Sequence, residues 1–288
     1  MQLSIISGGT CGSNPSTHAG RPRLTTSFGI IRGTDGIIID NGSGVQNVVR
    51  HLQKEKVERV LMLQSHLHAD HTDGLPQNSY LFQNKVPVMG IWVPKCEGAD
   101  FRTVWEQRFT PHIWPVRPET FGIAMPAQYT LGSDLSNVGF LPLGITTLRL
   151  NHPGGSVAYR IPHERGDIVI ATDHEPTGET NAAYASFVGG AQLLIADLQY
   201  RDSEYNGEVG IGDGPAMKRV GWGHATPKLL AEALSGCQPL PKEVWITHHD
   251  PNRTAGDLDD FESEVYTFFD GLGINVTAFA GDGEVNEI

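Results

Sequence analysis

The chain has 288 residues, 39% of them hydrophobic, which is enough to bury the core of one large domain. Its 33 acidic residues against 21 basic give a formal net charge of -12, which weighs against a long polyanion as partner, because affinity for a phosphate backbone comes from lysine and arginine. Three widely spaced cysteines, Cys11, Cys96 and Cys237, supply neither a disulfide framework nor a Cys-x-x-Cys knuckle, and no run approaches the ~20 apolar residues of a membrane span.

Taken in chain order, β-branched apolar runs predict strands over residues 2–7, 27–32, 36–40 and 59–63, with a helix over 44–55 between the last two. A strand over 86–93 and a helix over 100–109 follow, and then strands over 143–150, 156–161 and 167–171. The rest reads as helix 181–189, strand 192–196, helix 226–235, strand 243–247, helix 257–272 and strand 275–279. Thr226-Pro227 supplies a helix cap and a proline at the first helical position. Segment 110–139, rich in Pro, Trp and Phe, has no period and reads either as a lid or as a surface excursion packed by its own aromatics. The N-terminus has no basic leader, so a cytoplasmic, unexported protein is expected, with residues 1–288 forming a single domain.

The stretch Ser65-His66-Leu67-His68-Ala69-Asp70-His71-Thr72-Asp73 packs three imidazoles and two carboxylates directly behind the apolar run 60–63. His66 and His68, two apart, project to one side of an extended backbone, while Asp70 and His71 fall at the start of the next helix. A His-x-His alone is common on strand surfaces. Here three more clusters follow apolar runs: Asn151-His152-Pro153, Thr172-Asp173-His174-Glu175 and Thr247-His248-His249-Asp250. Such a set can hold two metal ions.

In these motifs the chain resembles the metallo-β-lactamase superfamily over nearly its whole length. The signature His-x-His-x-Asp-His is matched by His66, His68, Asp70 and His71, and the later family ligands fall on His152, Asp173 and His248. The resemblance implies an α/β (α+β) fold: a four-layer αββα sandwich of two mixed sheets with helices outside and the metal site at one sheet edge. It also implies that His66, His68 and His152 take one divalent metal, that Asp70, His71 and His248 take a second, and that Asp173 bridges them. Two ions about 3.5–4 Å apart clamp the attacking and leaving oxygens of a displacement, and a water bridging them is acidified towards hydroxide. The cysteine-free nitrogen and oxygen donors suit Zn²⁺ and also accept Mn²⁺ or Fe²⁺.

Within the superfamily, Ile6-Ser7-Gly8-Gly9-Thr10-Cys11-Gly12-Ser13, Gly223-His224-Ala225-Thr226 and Thr247-His248 look closer to the branch of ribonuclease Z and the cyclic-phosphodiester hydrolases. There the histidine matching His224 protonates the leaving oxygen or holds the phosphate, and an acidic residue matching Asp197 orients it. Asp70, His224 and Asp197 are therefore the expected catalytic residues. This chain departs from the pattern in that Ala225 replaces a serine and Asp197 a glutamate, so a histidine without chemistry remains the alternative.

Asp40 matches the superfamily's early Asp-x-Gly and either orients a metal-bound histidine or only forms an Asp-Asn-Gly turn. Asp73 reads as the opening cap of the helix after the cluster, and His174 and His249 as packing residues. His248 is preferred to His249 because it follows Thr247 directly. His18, near Arg21 and Arg23, is either a solvated loop residue or a contact for an anionic substrate. The expected activity is hydrolysis of a small phosphodiester, a cyclic nucleotide or cyclic phosphate. A lactonase or other ester hydrolase, and a metal-retaining binding module with little turnover, are the alternatives. Neither a membrane nor a large nucleic acid is expected as a partner, and a homodimer is left open.

Overall fold

The apolar strands are buried on both faces, and successive side chains point alternately into one core or another, which builds the layers of the molecule. The computed structural model describes residues 3–18, 21–83, 86–95, 100–124, 126–130, 135, 144–278 and 281–287, without the side chains of residues 18, 21, 22, 89 and 92. The first strands in chain order are β1 (Leu3–Gly9), β2 (Ser16–His18), β3 (Arg21–Arg23), β4 (Ser27–Arg32), β5 (Asp35–Ile39), β6 (Arg59–Leu63), β7 (Val88–Pro94) and β8 (Ala127–Tyr129). They are followed by β9 (Thr146–Leu150), β10 (Ser156–Ile161), β11 (Ile168–Ala171), β12 (Leu193–Asp197), β13 (Val244–Thr247), β14 (Val276–Ala278) and β15 (Glu284–Glu287). The helices are α1 (Val45–Lys54), α2 (Ala69–Thr72), α3 (Phe101–Arg108), α4 (Gly178–Val188), α5 (Asp202–Asn206), α6 (Pro227–Leu234) and α7 (Ala255–Asp270).

A 7-stranded sheet runs in the order β15-β1-β4-β5-β6-β7-β8 and a 6-stranded sheet in the order β14-β13-β12-β11-β10-β9, while β2 and β3 pair separately. Both large sheets are mixed: β5 to β8 are parallel to one another, as are β11 to β14, and the remaining pairs are antiparallel. Alternate residues divide between two cores. Ile37, Ile39, Leu61 and Leu63 of the first sheet meet Tyr159, Ile168, Ile170 and Ile195 of the second in a central cluster. Their neighbours Ile38, Val60 and Met62 face outward onto α1 and α3, and Ala158, Val169, Leu194 and Ala196 face outward onto α4, α6 and α7. The result is the expected αββα order of layers. In α1 the buried residues Val45, Val48, Val49 and Leu52 follow helical spacing. Fully burying each contributes about 1.5–3 kcal/mol, so packing on the sheet, rather than propensity, holds this valine-rich helix.

Several boundaries differ from the sequence reading. Helix α4 starts at Gly178 because Thr177 and Thr180 form a reciprocal capping box there. Strands β2, β3, β8 and β15 are additions, short or polar segments without apolar alternation. Part of segment 110–139 is tied down: β8 joins the sheet edge, Trp105 Nε1 donates to Glu119 Oε1 at 2.8 Å, and Trp114 and Phe121 pack on Phe82. Residues 125, 131–134 and 136–139 of that segment, like Cys96, lie outside the described residues. No described helix is long and apolar enough to cross a membrane.

The carboxyl ends of the parallel strands converge where the two sheets meet, as ligand-bearing ends do in open α/β sheets. Asp40 follows β5, Ser65-His66 follows β6, Asp173 follows β11, Asp197 ends β12 and His248 follows β13. Beyond β1, the Thr10 carbonyl accepts the N–H groups of His248 (2.8 Å) and His249 (3.3 Å), which ties the sheets together at this edge.

Candidate metal centre

Five described non-glycine residues have positive φ, and four of them, Ser13, Asp40, Asp173 and His248, sit at this edge; the fifth is Lys56. A left-handed backbone costs of order 1 kcal/mol or more at such residues, and it persists where the surroundings over-determine it, most often at functional sites. At Asp173 and His248 it turns the chain just past a strand end and directs both side chains into the space between the sheets.

Ligand atoms of His66, His68, His152 and Asp173 lie within 4.8 Å of one another, and so do those of Asp70, His71, Asp173 and His248. Asp173 belongs to both groups and divides its oxygens between them. Its Oδ2 faces His66 Nε2 (3.7 Å) and His152 Nε2 (3.6 Å), and its Oδ1 faces His71 Nε2 (3.1 Å) and His248 Nε2 (3.3 Å). The structure thus brings all seven expected ligands together in the two expected sets, shared through the expected carboxylate. All but His68, which is exposed, are buried.

The unpartnered atoms show that the residues fit metal ions. His66 Nε2, His71 Nε2 and Asp173 Oδ1 are buried without a hydrogen-bond partner, because they point at common centres rather than along lines to one another. Orphaned buried polar atoms are costly unless something else satisfies them. Imidazole nitrogens and carboxylate oxygens in this number are donors that divalent ions of the zinc type accept. The charge balance agrees. Burial pushes His66 down well below its ordinary value and His152 down to about 4, despite Asp173, leaving neutral lone pairs. Burial also opposes a charge on His71 and His248, but Asp173 and Asp70 overcome it, holding His71 well above its ordinary value and His248 at about 9. The same carboxylates would be neutralised by divalent cations.

A surrounding layer fixes the ligands. Asp40, fully buried, places Oδ2 2.8 Å from His71 Nδ1. It accepts from Ser65 N (2.6 Å), Ser65 Oγ (2.6 Å) and Gln64 Nε2 (2.8 Å). Of its two sequence readings, the histidine-orienting one has the geometry. His152 Nδ1 lies 2.9 Å from the Gly223 carbonyl, and Ser13 N donates to Asp70 Oδ2 at 2.9 Å. Two glycines make room: a Cβ on Gly12 would lie 2.6 Å from the His248 ring, and one on Gly223, whose φ is 91°, would lie 2.1 Å from His152 Nδ1.

His224 stands at the rim of the cluster, with its ring 5.1 Å from that of His152 and stacked 4.8 Å from that of His248. Its Nδ1 is 2.7 Å from Asp197 Oδ2, and Asp197 Oδ1 accepts the Ala225 N–H at 2.9 Å. The serine-to-alanine and glutamate-to-aspartate departures therefore leave the His–carboxylate pair in place. His174 turns away, accepting the Asn151 N–H at 3.1 Å and packing on Tyr184, and buried His249 is not among the ligand groups. Asp73 corrects the sequence reading: it follows α2 rather than opening it, and pairs with Arg108 at 2.5 Å. Burial pushes the Cys11 thiol up to about 12, which leaves it no thiolate at neutral pH. The side chains of His18 and Arg21 lie outside the described residues.

Sequence reasoning missed Glu175. Buried two residues past Asp173, it accepts the N–H groups of Gly221 (2.9 Å) and Gly223 (2.8 Å) and the Tyr205 hydroxyl (2.5 Å). It thereby anchors the loop that leads into His224. Its partners lie 30 to 48 residues away, so only the buried acidic position after a ligand could have signalled it.

A family model described as the beta-lactamase superfamily domain matches residues 37–249. No curated protein sequence matches the chain. Among solved structures, the metallo-beta-lactamase fold protein YhfI of Bacillus subtilis is 16% identical with a TM-score of 0.64, covering 100% of both chains. A diphosphatase of the PhnP family is 14% identical (TM-score 0.62; 100% of this chain and 98% of that one). Human tRNase Z, short form, is 18% identical (TM-score 0.61; 98% of both). At these identities the structures speak for the fold alone.

Proposed function

The chain belongs to the beta-lactamase superfamily, and from that membership we propose that it is a dinuclear metal-dependent hydrolase acting on a small anionic phosphodiester, such as a cyclic nucleotide or cyclic phosphate. Zn²⁺ is the proposed metal, because every donor is an imidazole or a carboxylate and none is a thiolate. Two bound ions supply Lewis acidity and a water acidified to attack near neutral pH. Within the protein, His66, His68 and His152 would hold one ion and Asp70, His71 and His248 the other, with Asp173 shared between the two sets.

The observation that carries the phosphodiester reading is the His224–Asp197 pair. A carboxylate 2.7 Å from Nδ1 fixes the orientation of the imidazole, which leaves Nε2 to hand a proton to a departing alkoxide. Phosphodiesters with alkyl leaving groups need that proton. The names of two fold neighbours, a diphosphatase and a tRNase, fit phosphoester chemistry. The net charge of -12 supports a small substrate over a polynucleotide.

The test is a panel of phosphodiesters, lactones, β-lactams and precursor transfer RNA offered to metal-loaded enzyme. Turnover of bis(p-nitrophenyl) phosphate or a cyclic nucleotide well above all the others is the expected result. Preferential lactone hydrolysis, or efficient cleavage of precursor transfer RNA at physiological salt, would overturn the proposal.

A further inference from the structure

The loop that leads into His224 carries an exposed indole that the metal chemistry does not use. Trp222 is 46% exposed, although it lies between Gly221 and Gly223, whose N–H groups both donate to the buried Glu175 carboxylate at 2.9 and 2.8 Å. Pinned on both sides, the residue sits on a firm backbone rather than a loose one. The Gly223 carbonyl, one residue on, meets the ligand His152, and the next side chain is His224. Trp222 therefore stands within two residues of both the metal cluster and the expected proton donor.

The ring is also backed. The Arg219 guanidinium lies over it, 5.9 Å from the centroid, and over the Tyr200 ring at 5.4 Å. Arg219 is itself buried and held by the carbonyls of Glu204 (2.8 Å) and Met217 (3.0 Å). The Tyr200 ring meets the His224 ring edge-on at 5.9 Å. Indole, guanidinium and phenol thus lie one against the next, and the phenol abuts the His224 imidazole edge-on, with the half-exposed indole at the far end of the row. Val220, two residues before the indole, is 46% exposed as well, and Met217 of the same loop is 43% exposed. Tryptophan usually buries most of its large ring, so an exposed indole among exposed apolar neighbours marks a binding surface.

We propose that Trp222 is a stacking platform that receives a planar heteroaromatic ring of the substrate, of the nucleobase class, while the phosphodiester reaches the metal centre beside it. This inference rests on the phosphodiesterase reading and narrows it to nucleotide-like diesters. A rigid, pre-ordered aromatic face loses little entropy on binding, and base–aromatic stacking is sequence-tolerant because every base has a π-face.

The test compares the p-nitrophenyl ester of thymidine 5′-phosphate with methyl p-nitrophenyl phosphate, diesters that share a leaving group and differ in the nucleoside. Wild type should favour the nucleoside ester. Trp222→Ala should lower that preference by roughly 10-fold or more, through KM rather than kcat, and Trp222→Phe should keep most of it. Calorimetry with thymidine 5′-monophosphate should show binding weakened by a similar factor in Trp222→Ala, with metal content unchanged. Equal effects on the two esters, no nucleotide binding by wild type, or a shift in oligomeric state with KM unaltered would overturn the platform. If wild type hydrolyses neither ester, the phosphodiesterase reading fails. Nucleotide binding lost in Trp222→Ala would then still support the platform, and nucleotide binding retained would overturn it.

Discussion

Replacing Asp40 by asparagine tests whether the buried layer around the ligands tunes the metal centre. Asp40 Oδ1 accepts from Ser65 N and Gln64 Nε2, and Oδ2 accepts from Ser65 Oγ and lies 2.8 Å from His71 Nδ1. An asparagine has one acceptor oxygen to cover both roles. If its oxygen stays on Ser65 N and Gln64, its NH₂ group faces His71 Nδ1 and forces the ring proton onto Nε2, the atom aimed at Asp173. If the amide turns the other way, its NH₂ group opposes two buried donors, a loss of about 1–3 kcal/mol for each group left unpaired. The first orientation leaves no buried donor unpaired and is therefore the favoured one, and in it one ion loses a well-oriented ligand. Orienting partners of this kind are worth about 10–100-fold in metal affinity, or ~1.4–2.7 kcal/mol. Competition against a chromogenic zinc chelator should resolve one weakened binding constant and one near wild type. Two wild-type constants in a folded Asp40→Asn protein would show that Asp40 only forms a turn.

His224→Ala should slow an alkyl phosphodiester far more than a nitrophenyl ester, by about 10²–10⁴-fold if the imidazole is the general acid, with metal content unchanged. Asp197→Asn should show the same selectivity in weaker form, and equal losses on both leaving groups would refute it. Arg253, with no side-chain exposure, donates to Glu204 at 2.5 and 2.8 Å and to the Gln199 carbonyl at 3.0 Å. Arg253→Ala leaves the buried Glu204 carboxylate with Arg201, at 3.1 Å, as its remaining cationic partner, and should cost about 2–5 kcal/mol, or roughly 4–20 °C in Tm by calorimetry; a shift under 2 °C would refute it. Burial raises Asp282 to about 6, even with hydrogen bonds from Leu24 N and Thr10 Oγ1. Because its folded value lies above its unfolded one, its contribution to stability is full below about pH 4 and is lost as pH rises through about 6, a change of up to about 3 kcal/mol. Asp282→Asn should match wild type near pH 4 and exceed it above pH 6 in denaturant unfolding, and parallel pH profiles would refute this.

What was legible in the sequence follows from period and proximity. Strands such as β5 and β6 announce themselves because each apolar residue serves one of two cores, and the ligands lie just past such strands. His248, rather than His249, faces the other candidate ligands for a reason no pattern displays: a left-handed backbone at His248 (φ 68°) turns its side chain towards Asp70 and Asp173. Polar β15 and proline-containing β3 carry no alternation, so their pairing was invisible. Asp73 was misread because α2 is a single turn that ends where a longer helix was expected to begin. Gln64 and Arg219 act on groups that only the folded chain brings near, and for Glu175 the one local sign is its acidic place two residues past Asp173.

Two ligand sets that share Asp173 call for two ions per chain. Metal-stripped protein should be titrated with Zn²⁺ while hydrolysis of bis(p-nitrophenyl) phosphate is followed. Activity should rise to a break at two equivalents per chain, because Asp173 presents one oxygen to each of two ligand sets. A break at one equivalent, or hydrolysis that persists in the stripped protein, would contradict it.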